Sequence, residues 1–128
     1  MKLRHIILSI FALAIFVGAT QAYAEESTKQ ERNLIKEGNK FFNEGNYAKA
    51  LKLYNEALNE TPNSEAAKFN RATALIKLSS EPNDTLAKQA SEIYKALSQS
   101  AASKNIKEKA SYNLGNQEFH RHNYQGST

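Results

Sequence analysis

Two histidines near the end of the sequence, His120 and His122, are the residues whose type most readily suggests metal chemistry. Zinc sites in proteins take three or four ligands, and this pair has no third ligand at a matching spacing. A solvent-exposed pair at the end of a helix explains the same residues without a metal ion. We therefore predict no metal site.

Acid–base catalysis has as little support from the sequence. The single aspartate, Asp84, and its neighbour Glu81 flank a proline, a place where carboxylates commonly cap helices. His5 lies in an N-terminal segment that is interpreted below as a leader, and the sequence has no glycine-rich phosphate loop or paired acid–base arrangement. The sequence thus predicts a protein that is not an enzyme and that uses no cofactor.

The sequence contains no cysteine, which excludes disulfide bonds, thiolate metal sites and cysteine nucleophiles. The folded domain must therefore be stabilised by burial alone. The formal net charge is +4, and Lys2 and Arg4 of the leader contribute two of these charges. The rest of the chain is close to charge balance, which gives no argument for a nucleic-acid partner.

Residues 1–24 have the pattern of a secretory signal peptide. A basic start precedes the apolar run Ile6–Val17, and Ala22-Tyr23-Ala24 places small residues at the two positions that a signal peptidase reads. The apolar run is shorter than the roughly 20 residues needed to span a bilayer. We predict a cleaved leader, a polar lead-in over residues 25–30 and a periplasmic or secreted protein. The alternative is an uncleaved leader that anchors the protein in the inner membrane.

Residues 31–64 form one helix–turn–helix unit of the 34-residue kind. Its large, small and helix-ending residues are Leu34, Gly38, Phe41, Phe42, Gly45, Tyr47, Ala50, Tyr54, Ala57, Leu58 and Pro62. Gly45 can adopt the left-handed conformation that ends the first helix, and a second helix is predicted from about Tyr47 to Asn59. Gly38 and Ala50 are expected where the two helices lie closest, because axes about 8–10 Å apart leave no room for larger side chains.

A second, less regular unit is predicted over residues 65–104, with helices through about residue 79 and over about residues 85–100. Its alignment with the first unit stays open. Pairing Tyr94 with Tyr54 implies an insertion relative to the usual period of about 34 residues, whereas pairing Ala96 with Ala57 shifts the register by one.

The third unit, residues 105–128, repeats the first at a constant offset of 77 residues. The matching groups are Gly38-Asn39 with Gly115-Asn116, Phe42 with Phe119, and Asn46-Tyr47 with Asn123-Tyr124. We predict one helix over about residues 105–120, with Asn105 and Glu108 as a capping pair. No second helix is expected to pair with it, which gives two and a half repeats.

These residues resemble the tetratricopeptide repeat (TPR) family, closely in the first unit and more loosely in the second. The leader, together with the motifs at residues 35–40 and 110–116, also resembles the TPR proteins of bacterial aerotolerance (Bat) operons. The second resemblance implies an envelope protein whose partner is a von Willebrand A-domain protein.

The TPR resemblance implies a groove, lined by the first helices of successive units, that receives a peptide or a partner helix. Asparagine suits such a groove because one amide both donates and accepts hydrogen bonds. Carrying over the family's groove positions gives the predicted binding residues Lys36, Asn39, Asn70, Asn113 and Asn116.

The sequence therefore predicts an all-α, antiparallel helix-pair solenoid that follows a signal peptide and binds another protein. It predicts no nucleic-acid partner and no membrane span once the leader is cleaved. The alternative function is structural self-assembly. In that case the unpaired helix of the third unit packs on a second copy and buries Leu114 and Phe119 between the chains.

Overall fold

The chain is described over residues 29–127 by a computed structural model. Within this range it forms five α-helices and no strand: α1 covers residues 29–43, and the others are α2 Tyr47–Glu60, α3 Glu65–Leu78, α4 Thr85–Ser100 and α5 Lys104–Gly126. The all-α prediction is confirmed for this part of the chain. The predicted leader, its cleavage point and most of the lead-in lie outside the described residues.

Polar side chains define where four of the helices begin. Asn46, Ser64, Asp84 and Ser103 each accept a hydrogen bond from a backbone N–H three residues later, at the start of α2, α3, α4 and α5. Asp84 also accepts from the N–H groups of Ser80 and Glu81. Its pKa is lowered most by the hydrogen bond from the N–H of Ala87 and further by those from Ser80 and Glu81. The capping role expected for Asp84 is confirmed, whereas the predicted Asn105–Glu108 cap is wrong because Ser103 caps α5.

The turn between α1 and α2 depends on Gly45, whose φ of 81° lies in the left-handed region that glycine adopts at little cost. His122 stands at the corresponding position of the third unit, 77 residues later. A histidine is disfavoured in that conformation. The helix α5 accordingly continues to Gly126 and does not end near His120 as predicted.

Both small residues expected at the contact of α1 with α2, Gly38 and Ala50, are buried. Gly38 is buried directly against the ring of Tyr54, and Ala50 is fully buried one helical turn before that tyrosine. Phe42 of α1 contacts Tyr47 of α2 edge-to-face, with ring centroids 5.0 Å apart. Glycine and alanine allow the close approach, and aromatic rings fill the space around it.

Burial decides the alignment of the second unit. Ala90, Tyr94 and Leu97 are buried 40 residues after the buried residues Ala50, Tyr54 and Ala57. Ala96 is exposed. The alignment that pairs Tyr94 with Tyr54 is therefore correct.

The main core joins α3, α4 and α5. Its buried members are Ala72, Leu75, Ala90, Tyr94, Leu97 and Ala110. Leu114 is partly buried and packs against this cluster. This packing onto α3 and α4 covers part of the side chain that the self-assembly alternative assigns to a contact between two copies.

Two contacts hold α5 against the second unit. The Glu65 carboxylate accepts from the N–H groups of Ala102 and Ser103, at 2.6 and 3.0 Å, and these bonds lower its pKa. Near the other end of α5, Tyr124 forms a hydrogen bond with Glu81, and this bond and the negative charge of Glu81 raise the pKa of the phenol. None of the helices within residues 29–127 is long and apolar enough to cross a membrane.

Candidate protein-binding surface

A three-way hydrogen-bond junction links the first two units. The Oδ1 atom of Asn39 on α1 accepts from the Tyr54 hydroxyl at 2.7 Å and from Nδ2 of Asn70 at 3.0 Å. Tyr54 reaches this junction from α2, and Asn70 reaches it from α3. Two of the five predicted binding residues are thus brought together, and both also hold neighbouring helices in place.

The same junction recurs one unit later with a different residue. The Tyr94 hydroxyl of α4 lies 2.9 Å from Oγ1 of Thr73 on α3, and Asn113 on α5 is a further hydrogen-bond partner of that hydroxyl. Thr73 stands 34 residues after Asn39, which is the usual repeat length. Thr73 was not among the predicted binding residues, although its spacing from Asn39 indicates the equivalent position.

A small cleft opens above the second junction, between α3 and α5. Its volume is about 210 Å³. Its lining residues are Thr73, Ile76, Tyr94, Asn113, Asn116, Gln117 and His120. Asn116 is exposed at this cleft, so its amide is accessible to a ligand. Two of the predicted binding residues, Asn113 and Asn116, therefore line the same cleft.

Lys36 completes a regular arrangement of polar side chains. It is exposed on α1, three residues before Asn39. The corresponding pairs, also three residues apart, are Asn70 with Thr73 on α3 and Asn113 with Asn116 on α5. We call these six residues the first-helix face. Because residues three apart are neighbours on a helix surface, each of the three helices presents two adjacent polar groups.

Burial of the two bridging tyrosines affects how they titrate. Desolvation raises the pKa of Tyr54 to about 12, and it also raises the pKa of Tyr94, where hydrogen bonds from Thr73 and Asn113 act in the opposite direction. Both side chains are nearly inaccessible, at 1% and 2% exposure. The folded protein therefore retains these phenolic protons at a pH where the unfolded chain, with a tyrosine pKa of about 10, loses them.

We expect Tyr54 to make the protein sensitive to alkali. Because its folded pKa is raised, its stabilising contribution is complete below about pH 10 and is lost as the pH rises toward 12. Linkage gives a loss of about 1 kcal/mol by pH 11. The urea midpoint of the wild type should fall more steeply between pH 9 and pH 11 than that of Tyr54→Phe. Parallel slopes for the two proteins would contradict this.

A second cavity lies on another side of α3, between α2 and α4, and the sequence did not indicate it. Its volume is about 680 Å³. Its lining includes Leu58, Pro62, Lys68, Arg71, Ile93 and Leu97, and we call this set the second-helix cleft. Arg71 donates from Nε to Asn55 at 2.8 Å. This cleft is more apolar than the first-helix face, and it is the alternative location for a ligand.

The sequence is 46% identical over 57 residues to a TPR repeat-containing thioredoxin from Arabidopsis thaliana. The matched stretch covers 44% of this chain and 8% of that relative. No protein-family model and no solved structure matches the sequence. The similarity, together with the paired helices, supports the identification of TPR-type repeats.

Proposed function

We propose that this protein is a protein–protein interaction module that holds an extended peptide segment against the first-helix face. The observation that carries the proposal is the repetition of paired polar side chains on α1, α3 and α5, with the same tyrosine junction beneath two successive units. Side chains that are already held in place lose less conformational entropy when they bind a ligand. The face is thus prepared for binding before a partner arrives.

The hydrogen-bond groups of the first junction match those of a peptide backbone. The two bonds to Asn39 occupy its carbonyl oxygen, while its Nδ2 group can donate. Asn70 uses one N–H in the junction, and its carbonyl oxygen can accept. An extended backbone offers both C=O and N–H groups, so it can satisfy both asparagines at once.

The similarity to a TPR repeat-containing thioredoxin supports the binding role but not a redox role. Thiol–disulfide chemistry requires cysteine, and this sequence has none. TPR-type repeats, by contrast, are assemblies of helix pairs that form extended binding surfaces. The proposed function is therefore passive binding, without catalysis or a cofactor.

The proposal also places the module outside the cytoplasm, in the periplasm or secreted, with a von Willebrand A-domain protein as its partner. The support for export is the leader pattern of residues 1–24. The support for an aerotolerance-type partner is the resemblance of the motifs at residues 35–40 and 110–116. Both parts of the proposal rest on the sequence.

The binding role is tested by selection of ligands from a phage-displayed library of random peptides. For the selected peptides, measured by fluorescence anisotropy, we expect Lys36→Ala and Asn116→Ala each to weaken binding about threefold to tenfold. This is the effect of one lost hydrogen bond. These two residues are preferred to Asn39, because Asn39→Ala would also remove the bond to Tyr54 and lower stability.

The matched control is Lys68→Ala in the second-helix cleft, which should leave the affinity unchanged. Far-ultraviolet circular dichroism verifies that all variants fold. The proposal fails if the library gives no specific peptide. It also fails if the selected peptides lose affinity in Lys68→Ala but bind both first-helix variants normally, because the ligand site would then be the second-helix cleft.

A further inference from the structure

One face of α5 presents large apolar side chains to solvent. Tyr112 is 71% exposed and Phe119 is 63% exposed, and they are the large apolar residues most open to solvent within residues 29–127. They are seven positions apart in the sequence, which corresponds to about two helical turns, so both lie on the same side of α5. Gly115 lies between them, and a Cβ atom added there would meet nothing within 4 Å. We call Tyr112, Gly115 and Phe119 the bare α5 face.

The first unit shows how the equivalent face is covered. Gly38 and Phe42 precede Gly115 and Phe119 by 77 residues. The Tyr54 ring of α2 covers Gly38, and Tyr47 of α2 packs on Phe42 with centroids 5.0 Å apart. The packing of α2 on Gly38 and Phe42 of α1 is therefore an example, within this chain, of a helix that covers such a glycine and phenylalanine.

We propose that the bare α5 face docks an antiparallel helix of another polypeptide that carries the pattern of α2. That pattern is an aromatic residue, a lysine two positions later, an alanine immediately after the lysine, and a tyrosine four positions beyond the alanine, as in Tyr47, Lys49, Ala50 and Tyr54. The first aromatic ring packs on Phe119. The alanine lies at the closest approach of the helices, and the tyrosine ring covers Gly115.

Polar groups on α5 match the same pattern. In the first unit, Nζ of Lys49 lies 4.0 Å from the centroid of the Phe41 ring. The residue 77 positions after Phe41 is Glu118, which is exposed. A lysine of the docked helix would therefore meet a carboxylate, an attraction between opposite charges. Asn116, the counterpart of Asn39, can accept from the tyrosine hydroxyl as Asn39 does from Tyr54.

The source of the helix follows from two features of the chain. Within residues 29–127, α5 runs through Asn123 and Tyr124, where the first unit turns back at Gly45 and Asn46, so the equivalent of the turn that returns α2 onto α1 is not formed at this position. A second copy of this chain keeps its own α2 covered, with Ala50 at 0% and Tyr54 at 1% exposure. Both features favour a helix supplied by a different protein.

The test uses a fluorescein-labelled peptide with the sequence of residues 44–62 and the full chain, followed by anisotropy. We expect saturable binding that Gly115→Leu and Phe119→Ala each weaken by at least about tenfold. Glu118→Lys should weaken it about threefold to fivefold by reversing the charge opposite the peptide lysine. Because the space at Gly115 is open, Gly115→Leu should leave the melting curve of the chain intact.

Two controls separate this surface from others. Lys107→Ala, on a different side of α5, and Lys36→Ala, on the first-helix face, should both bind the peptide normally. The second control makes this test independent of the proposed peptide-binding function. Absence of peptide binding would overturn the proposal, as would equal affinity for wild type and Gly115→Leu. It would also be overturned if light scattering showed a dimer that Gly115→Leu dissociates and the peptide does not, because a second copy would then be the occupant.

Discussion

Replacing Gly38 by alanine is expected to lower the free energy of unfolding by about 1–3 kcal/mol, as overpacking of a buried site does. The added Cβ would lie 2.6 Å from Cε1 and 2.9 Å from Cδ1 of Tyr54. The ring cannot move aside easily, since Tyr54 is 1% exposed and its hydroxyl is bonded to Asn39 at 2.7 Å. The clash must therefore separate α1 from α2 or break that hydrogen bond.

Gly115→Ala is the matched control, because the same substitution occurs at the corresponding position of the third unit. A Cβ at Gly115 meets nothing within 4 Å, and alanine favours a helix over glycine by about 1 kcal/mol. Thermal denaturation followed by circular dichroism should show a lower melting temperature for Gly38→Ala and an unchanged or higher one for Gly115→Ala. If the two variants shifted in the same direction, the packing of Tyr54 on Gly38 would not explain the first result.

Truncation of Tyr94 to alanine is expected to produce the largest loss of stability, about 3–5 kcal/mol, because it empties a large volume in the core. Tyr94 is 2% exposed and lies in the cluster that joins α3, α4 and α5. Its ring centroid is 5.5 Å from that of Phe69 on α3. A domain of this size without disulfides has a total stability of only about 5–15 kcal/mol, so this loss removes a large fraction of it.

Tyr94→Phe separates the contribution of the ring from that of the hydroxyl. It keeps the aromatic packing and removes the bond to Thr73, at an expected loss of about 1 kcal/mol. Urea denaturation of both variants at neutral pH gives the comparison. Equal losses for Tyr94→Ala and Tyr94→Phe would mean that the polar junction, and not the packed ring, holds the three helices together.

Local chemistry explains which parts of the fold could be predicted from the sequence. The bounds predicted for α4 agree with the observed helix Thr85–Ser100. Its start was predictable because the cap is local: Asp84 accepts from the N–H of Ala87, three residues later. The turn at Gly45 was predictable for the same kind of reason, since few residues other than glycine accept its φ of 81°. The end of α5 was predicted incorrectly because the repeat pattern was extended over His122, which lacks that freedom.

The candidate site was predictable only in part. The resemblance pointed to Asn39, Asn70 and Asn113. It did not indicate that Asn39 accepts from a tyrosine of α2 and from Asn70, or that Asn113 is a partner of a tyrosine of α4. The two partners of Asn39 lie 15 and 31 positions away in the sequence, so no local pattern reveals them. Thr73 and the second-helix cleft were missed because both are defined by which helices lie side by side.

The amino-acid order by itself determined the helical units, the cap of α4 at Asp84 and the turn at Gly45, because each depends on neighbours within a few residues. Tertiary structure alone decided the register of α4, the inward position of Leu114 and the joining of Asn39 to Asn70. It also decided which apolar residues of α5 stay uncovered. These properties depend on contacts between helices distant in sequence, where burial and steric fit select one arrangement among several that the local pattern allows.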